Sequence, residues 1–249
     1  YTIIKKLGAG CCGTVYEVNA DINGEPLNIV QKTFISGKTH ERINDDFIEL
    51  YANWQIRKYI SKSMIEISND PFLYNCIEKV PFLYPTKEQN KILFKAKSSK
   101  DEFIKAQIAS ELKHGIFFEV KGNQNLDDLI NDIENKKIKL SFEEKMYLLL
   151  DILMGTTLLD KAGIIQRDLN CENIQIEISD EGRPKAYLID FGKAIHNKII
   201  HFFDNNENEK NDYCSPFYYS SPPEAYEYGN RDKVFGDKYN SFNVGLIML

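Results

Sequence analysis

Apolar and polar positions along the chain predict strands first and helices later. Segments that favour strands lie at Tyr1–Leu7 and Thr14–Val18, on either side of a glycine-containing loop, and a third strand is expected at Leu27–Phe34. A helix is predicted from about Asn44 to Lys62. One strand is expected around Cys76–Tyr84, in the proline-interrupted region that follows.

The middle of the chain predicts an insertion and then a return to regular structure. Lys87–Lys113 is polar and partly helical, as in a decorated connection between two elements. Gly115–Val120 is expected to form a short apolar strand and Leu126–Asn135 a short helix. The change of character near Lys121–Asn125 predicts a boundary between an N-terminal lobe, residues 1–120, and a C-terminal lobe, residues 121–249.

The second half of the chain predicts a long helix, two short strands and a long loop. Ser141 and Glu144 form a capping-box pattern at the start of the helix. Its apolar residues predict a wide buried face: Met146, Leu149, Leu150, Leu153, Leu158 and Leu159. Strands are expected at Ile174–Ile178 and Ala186–Ile189, and residues 195–223 are irregular and polar, as in a functional loop.

Composition narrows the class of protein without deciding its function. The 249 residues are enough for one large domain or two lobes, and 43% hydrophobic with 27% charged residues is ordinary for a globular protein. A net charge of −6 argues against a general nucleic-acid binder, and no apolar run approaches the roughly 20 residues that span a bilayer. The five cysteines are odd in number and irregularly spaced, which favours reduced thiols in a cytoplasmic protein.

Both ends of the sequence predict a longer parent protein. The chain starts at Tyr1 without an initiator methionine, so a targeting signal, including one for delivery into a host cell, can precede it. The apolar run Val244–Leu249 starts a helix and then stops, so further helices are expected after it.

Three glycines near the N-terminus form the first candidate site. Gly8, Gly10 and Gly13 follow the pattern G-x-G-x-x-G, in which missing Cβ atoms let backbone N–H groups approach a phosphate. Hairpin turns also collect glycines, so the pattern alone fits a plain turn equally well. The loop joins two strands and continues into Val15, whereas a dinucleotide-binding loop runs from a strand into a helix.

Four further stretches carry candidate chemistry. Lys32 ends the strand N-I-V-Q-K after the glycine loop, although most strand lysines taken singly are solvated. Gln166–Asn173 reads Q-R-D-L-N-C-E-N and follows the long apolar helix. Asp190 begins D-F-G, and Ser221–Glu224 reads S-P-P-E.

These five stretches, in this order, resemble the protein kinase family over essentially the whole chain. The family counterparts are G-x-G-x-x-G-x-V, V-A-I-K, H-R-D-L-x-x-x-N, D-F-G and A-P-E. The resemblance implies an α+β fold with a small β-rich lobe over a helical lobe and ATP between them. It also implies Mg²⁺-dependent transfer of the γ-phosphate to a serine or threonine hydroxyl of a protein substrate.

The resemblance implies a role for each site residue. Asp168 would accept the proton of the attacking hydroxyl, and Asn173 and Asp190 would bind Mg²⁺. Lys32 would pair with the α/β-phosphates and with a helix glutamate, for which Glu49 has workable spacing. The remaining nucleotide contacts would come from Gly8, Gly10, Gly13, Val15 and the hinge residues Glu119 and Lys121.

Several positions depart from the family pattern or leave a choice open. Gln55 fits the helix register about as well as Glu49. Gln166 replaces a histidine, and Asn240 replaces an aspartate that anchors the catalytic-loop backbone, a role its amide oxygen can still fill. Asn170 replaces a phosphate-contacting lysine, which predicts slow catalysis because such a charge is worth roughly 2–4 kcal/mol of barrier. The resulting D-L-N form resembles kinases that bacterial pathogens deliver into host cells.

Two other functions remain open at this point. A pseudokinase would bind nucleotide and regulate a partner, but Lys32, Asp168, Asn173 and Asp190 are all present, which favours an enzyme. A kinase fold could also act on a small molecule or transfer AMP, and the A-P-E-like segment argues against this. The loop before that segment is expected to be a phosphorylation switch that pairs with Arg167, with its first-choice acceptors at Ser215 and Tyr218.

Overall fold

The computed structural model describes residues 1–9, 13–22, 25–34, 40–96, 112, 115–179, 182–196, 240, 244, 245 and 247. These residues form an α+β protein in which an antiparallel sheet is followed mainly by helices, and this confirms the predicted class. The chain divides into two compact units. The N-terminal unit comprises Tyr1–Arg57 and Pro81–Val120, and the C-terminal unit comprises Lys58–Val80 and Lys121–Leu249.

A four-stranded antiparallel sheet in the order β1-β2-β3-β4 organises the N-terminal unit. Its strands are β1 (Thr2–Ala9), β2 (Gly13–Ile22), β3 (Glu25–Phe34) and β4 (Ile116–Glu119). Val18, Ala20 and Ile29 are buried in its core. Because these three are β-branched or small, they fit the pleated surface under the aromatic rings of Tyr84 and Phe117.

Helices α1 to α4 occupy the chain between β3 and β4. Their bounds are α1 (His40–Lys62), α2 (Met64–Ser68), α3 (Pro71–Ile77) and α4 (Lys87–Ala96). Most of α1 and all of α4 belong to the N-terminal unit, whereas α2 and α3 belong to the C-terminal unit. The stretch Lys58–Val80 is therefore part of the C-terminal unit, although it precedes the lobe boundary expected from the sequence.

The strand predicted around Cys76–Tyr84 is wrong. Cys76 and Ile77, the first residues of this segment, are the last residues of α3. Helix α3 starts at Pro71 because the Asp70 carboxylate accepts hydrogen bonds from two backbone N–H groups and because proline suits the first helical position. Within this segment, strand-like pairing is limited to a single bridge between Leu83 and Phe118.

In its described residues, the C-terminal unit adds two longer helices and several short antiparallel strands to α2 and α3. The longer helices are α5 (Leu126–Glu134) and α6 (Phe142–Lys161). One sheet has the order β5-β7-β8, with β5 (Gln124–Asn125), β7 (Ile174–Glu177) and β8 (Lys185–Leu188). A second pair joins β6 (Ile164–Ile165) to β9 (Ile195–His196), and a 3₁₀ turn spans Cys171–Asn173.

Helix α6 confirms the predicted capping box and, at Leu158 and Leu159, part of the predicted buried face. Ser141 N donates to Glu144 Oε2 (2.7 Å) and Glu144 N donates to Ser141 Oγ (3.2 Å). Of the six apolar residues expected in the core, three are substantially exposed: Met146, Leu150 and Leu153. Besides Leu158 and Leu159, the buried face contains Leu148, Asp151, Ile152 and Gly155. The helix turns this face inward because it packs on β8 and α3, where Asp151 has cationic partners.

Among the helices that the structure describes, none has the length and apolar character needed to cross a membrane.

Candidate active site

The register of the N-terminal sheet aligns the glycine hairpin with Lys32. Gly8 is opposite Val15 across β1 and β2, and Val15 is opposite Lys32 across β2 and β3. Adjacent strands lie about 4.8 Å apart, so these three backbones form one short row. A Cβ added at Gly8 would meet no atom within 4 Å, so there is open space beside the hairpin at this position. Gly13 begins β2, and Gly10 lies outside the described residues.

Lys32 is paired with Glu49 of α1. Lys32 Nζ lies 2.6 Å from Glu49 Oε2, and the two side chains are only 12% and 4% exposed. Asn53 donates to the backbone oxygen of Glu49 (2.9 Å), which places a second polar side chain one turn along the helix. The other candidate, Gln55, hydrogen-bonds to the Tyr51 side chain. The structure therefore brings Lys32 together with the glutamate and not with the glutamine.

The two expected hinge residues fall in different units and have structural contacts of their own. Glu119 ends β4, where its N–H donates to Phe82 O (2.8 Å) and its carboxylate accepts from Phe82 N (3.2 Å). Lys121 belongs to the C-terminal unit, and its ammonium group lies 5.1 Å from the centre of the Tyr187 ring.

Asp168 is held by two asparagines of its own loop. Asn173 Nδ2 donates to Asp168 O (2.7 Å) and Oδ2 (3.3 Å), and Asn170 Nδ2 donates to Asp168 Oδ1 (3.2 Å). Because Asn173 uses its amide nitrogen here, its amide oxygen is the atom suited to a cation. Burial raises the pKa of the Asp168 carboxyl, and the negative charge of Asp190 raises it further.

Besides contacting Asp168, Asn170 caps the turn that follows it. Its Oδ1 accepts hydrogen bonds from Glu172 N (2.9 Å) and Asn173 N (3.2 Å), which caps the 3₁₀ turn that carries Asn173. Asparagine is among the best residues for capping a helical turn, so the sequence D-L-N-C-E-N contained a local signal for this role. Asn170 therefore stabilises the conformation of the loop that carries Asp168 and Asn173.

A main-chain hydrogen bond joins the residue before D-F-G to the same loop, since Ile189 N donates to Asn173 O (3.0 Å). Within D-F-G, Gly192 N donates to the Asp190 side chain at Oδ1 (3.2 Å). Gln166 Nε2 donates to Ile189 O (2.8 Å) and more weakly to Asp190 O (3.3 Å). Phe191 is 2% exposed, so its ring packs inward. Gln166, in the histidine position, thus ties the two segments together.

Two site residues have strained backbones. Arg167 has φ 60° and Asp190 has φ 55°, in the left-handed region that non-glycine residues seldom adopt. Each such conformation costs roughly 1–3 kcal/mol and concentrates at functional sites. Arg167 Nε donates to Lys193 O (2.6 Å). Its expected phosphorylated partners Ser215 and Tyr218, like the segment 221–224, lie outside the described residues.

Asn240 anchors the loop that carries Asp168. Its Oδ1 accepts from Gln166 N (3.1 Å), as expected of the residue in this position. Its Nδ2 donates to Asp160 Oδ1 (2.6 Å) and to Ile164 O (2.9 Å). An aspartate could not donate these two hydrogen bonds, so the local surroundings require an amide.

A buried ion cluster supports the strand that leads to the D-F-G segment. Lys79 Nζ lies 2.9 Å from Asp151 Oδ1, and their side chains are 3% and 0% exposed. Arg183 NH2 donates to the same oxygen (3.0 Å), and Ala186 N of β8 donates to Asp151 Oδ2 (3.1 Å). Lys79 O also accepts from Leu188 N (2.9 Å). Neither Lys79 nor Asp151 belongs to a motif, so their pairing is not predictable from the sequence.

The donor set at Asp190 and Asn173 suits one kind of metal ion. No group of three or more His, Cys, Asp or Glu residues arranged for a metal occurs in the described parts of the chain. Mg²⁺ is usually held by one or two protein oxygen ligands together with substrate phosphates and water. One carboxylate and one amide oxygen therefore fit Mg²⁺ bound with a phosphorylated ligand.

A scan against protein-family models finds no match to this chain, and a search of the curated proteins finds none either. The case for a function therefore rests on the residues and their geometry.

Proposed function

We propose that this protein is an ATP-dependent protein kinase of the two-lobed protein-kinase fold. In this proposal it transfers the γ-phosphate of ATP to a serine or threonine hydroxyl of a protein substrate. The observation that carries the proposal is that hydrogen bonds join the segments of Asp168, Asn173 and Asp190 within the C-terminal unit. Asn173 Nδ2 donates to Asp168 O, and the N–H of Ile189, the residue before Asp190, donates to Asn173 O. Two non-glycine residues with strained backbones accompany this cluster, as is common at active sites.

The nucleotide would be held by the glycine hairpin, by Lys32 and by the two hinge residues. Lys32 would contact the α/β-phosphates, and Glu49 would keep its ammonium group in place. Backbone N–H groups beside Gly8 and Gly13 would face the phosphates, and Val15 would contact the adenine ring. Main-chain groups of Glu119 and Lys121 would bind the adenine edge.

A magnesium ion, held by the Asp190 carboxylate and the Asn173 amide oxygen, would neutralise charge on the phosphates when bound. The hydroxyl oxygen of the substrate attacks the γ-phosphorus, the bond to the β–γ bridging oxygen breaks, and ADP leaves. Asp168 orients the hydroxyl and receives its proton. Asn170 and Asn173 hold the Asp168 carboxylate for this step, since each donates a hydrogen bond to it.

The choice of serine or threonine follows from the loop sequence. Glu172 occupies the position of glutamate in the K-P-E-N loop of serine/threonine kinases, and the arginine signatures of tyrosine kinases are absent from the sequence. Cys76 and Cys171 are free thiols, which suits a reducing compartment such as the cytoplasm.

A nucleotide-binding scaffold that regulates a partner is the second candidate, and Asn170 is the observation that favours it. Serine/threonine kinases place a lysine there, whereas here the side chain caps a turn and contacts Asp168. The two candidates differ in one respect: the scaffold would bind ATP without transferring phosphate.

Two substitutions separate binding from transfer. Asp190→Asn is expected to abolish Mg²⁺-dependent ATP binding in calorimetry. Asp168→Asn is expected to retain it and to lose turnover, because Asp168 contacts the acceptor and not the phosphates. Asp128→Asn, at an exposed position on α5, is the matched control and should change neither quantity. ATP binding that is indifferent to Asp190→Asn would refute the assignment.

A further inference from the structure

The buried side chain of Gln89 connects helix α4 to Gly115, the residue that precedes β4. Gln89 is 1% exposed and serves two partners at once. Its Oε1 accepts from Thr86 N (3.0 Å), while Thr86 Oγ1 accepts from Gln89 N (3.1 Å), which together cap the start of α4. Its Nε2 donates to Gly115 O (2.8 Å), at a residue that lies outside the helix.

Gly115 passes this restraint on to Lys32. It has φ +78°, and a Cβ added to it would lie 2.6 Å from the backbone oxygen of Lys32. The next residue, Ile116, is directly opposite Lys32 in the pairing of β3 with β4. Gly115 is therefore packed closely against the Lys32 backbone, in a conformation that favours glycine.

The other end of α4 packs against the helix that carries Glu49. The Phe94 ring meets the Trp54 ring edge-to-face, with centroids 5.3 Å apart. Trp54 is 6% exposed and continues into a row of aromatic rings along α1, formed with Tyr51 and Phe47. Leu93 of α4 is fully buried beside this contact. One short helix thus contacts Gly115, which is packed against the Lys32 backbone, and Trp54 of the helix that carries Glu49.

We infer that α4 is an internal brace that keeps Lys32 and Glu49 together, with Gln89 as its main positioning residue. The insertion that contains α4 thereby gains a role in nucleotide binding, although none of its residues needs to touch the nucleotide. This inference rests on the proposed function only for the link from the ion pair to ATP. The brace itself concerns contacts within the N-terminal unit.

The decisive variant is Gln89→Glu, with Thr86→Ala as its matched control. Gln89→Glu keeps an oxygen that accepts from Thr86 N and removes the N–H that donates to Gly115 O. Thr86→Ala weakens the same helix cap and leaves the Gly115 bond intact. Phe94→Ala tests the other end of the brace, and because Phe94 is 64% exposed this variant should fold.

Pulse labelling of the full chain with acetic anhydride, followed by mass spectrometry, reports on the ion pair without ATP. The labelling rate of Lys32 should rise at least about fivefold in Gln89→Glu, because one lost buried hydrogen bond accounts for about that factor and the buried carboxylate also faces the Gly115 oxygen. It should also rise in Phe94→Ala and stay at the wild-type rate in Thr86→Ala. Lys185, in the other unit, is the internal reference in every sample.

The KM for ATP and the kcat of the same variants are then measured. The KM for ATP should rise about as much as the labelling rate, with a smaller change in kcat, because the acceptor side of the site is untouched. Equal Lys32 labelling in Gln89→Glu and Thr86→Ala, or wild-type labelling in Phe94→Ala, would overturn the brace. A wild-type protein that neither binds nor uses ATP would overturn the proposed function, while the labelling result would still decide the brace.

Discussion

The buried cluster around Asp151 gives a quantitative prediction for the substitution Asp151→Asn. The carboxylate is fully buried and accepts hydrogen bonds from Lys79, Arg183 and Ala186 N. Asparagine has nearly the same shape, but it carries no charge and turns one acceptor oxygen into an NH₂ donor. At least one of the three donors would then face another donor.

The magnitude follows from the burial of the partners. Lys79 has a side chain only 3% exposed, so Asp151→Asn leaves an almost fully buried ammonium group without its counter-charge. Breaking a buried ion pair in this way costs roughly 3–5 kcal/mol. The Arg183 side chain is 37% exposed and can be solvated by water, so the loss of its ion pair with Asp151 adds little to the cost. The expected cost is therefore about 3–5 kcal/mol of unfolding free energy.

Urea denaturation of wild type, Asp151→Asn, Lys79→Met and the double variant measures this cost. Lys79→Met alone should cost less than Asp151→Asn, because Asp151 keeps Arg183 and Ala186 N. The double variant removes both buried charges, so it should be more stable than the sum of the two single costs predicts, by at least about 1 kcal/mol. Strict additivity, or an Asp151→Asn protein within about 0.5 kcal/mol of wild type, would refute this reasoning.

Two further predictions concern Asn240 and Cys76. Asn240→Asp should destabilise the protein, because the new carboxylate would face Asp160, and two carboxylates about 4 Å apart repel by about 1 kcal/mol in water and about 4 kcal/mol near a protein surface. Thermal melts should show partial recovery when Asp160→Asn is added, and an unchanged single variant would contradict this. Burial raises the pKa of the Cys76 thiol from 9.0 to about 11, so its thiolate fraction at pH 8 falls about 100-fold. Iodoacetamide should therefore label Cys76 far more slowly in the folded protein than in urea, and equal rates would exclude the buried position.

Local patterns in the sequence account for the elements that were predicted well. The capping box at Ser141 and Glu144 depends on residues three apart, and the structure contains it. The spacing between the glycine hairpin and Lys32 likewise reflects one antiparallel register. The α+β class was implied by the resemblance to protein kinases, and the order of predicted strands and helices agrees with it.

The errors occurred where a distant partner decides the outcome. Apolarity alone placed Leu150 and Leu153 of α6 in the core, but the helix buries Asp151 because Lys79 and Arg183, far away in sequence, neutralise it. The choice between Glu49 and Gln55 also required the position of Lys32 in space. The use of Asn240 Nδ2 could not be foreseen, since Asp160 and Ile164 are brought to it only by folding.

The three departures from the kinase pattern have different physical consequences. Gln166 and Asn240 are amides that hydrogen-bond within the protein, although the buried Gln166 Oε1 has no hydrogen-bond partner in the described part of the chain. Asn170 stands where the kinase pattern has a lysine, and its side chain caps the 3₁₀ turn. A hydrogen bond from this neutral side chain cannot supply the positive charge of a lysine. If transfer is slow, Asn170 is therefore the residue that we expect to limit it.

A phosphoryl-transfer assay tests most directly whether this protein is an ATP-dependent protein kinase. The full chain is incubated with γ-labelled ATP, Mg²⁺ and a panel of proteins, beside Asp168→Asn and a sample with excess EDTA. The account predicts Mg²⁺-dependent label on serine or threonine of a protein, lowered at least about 100-fold in Asp168→Asn, as expected when a proton-accepting group is removed. Label that appears equally with Asp168→Asn, or ATP binding without any transfer under these conditions, would contradict it.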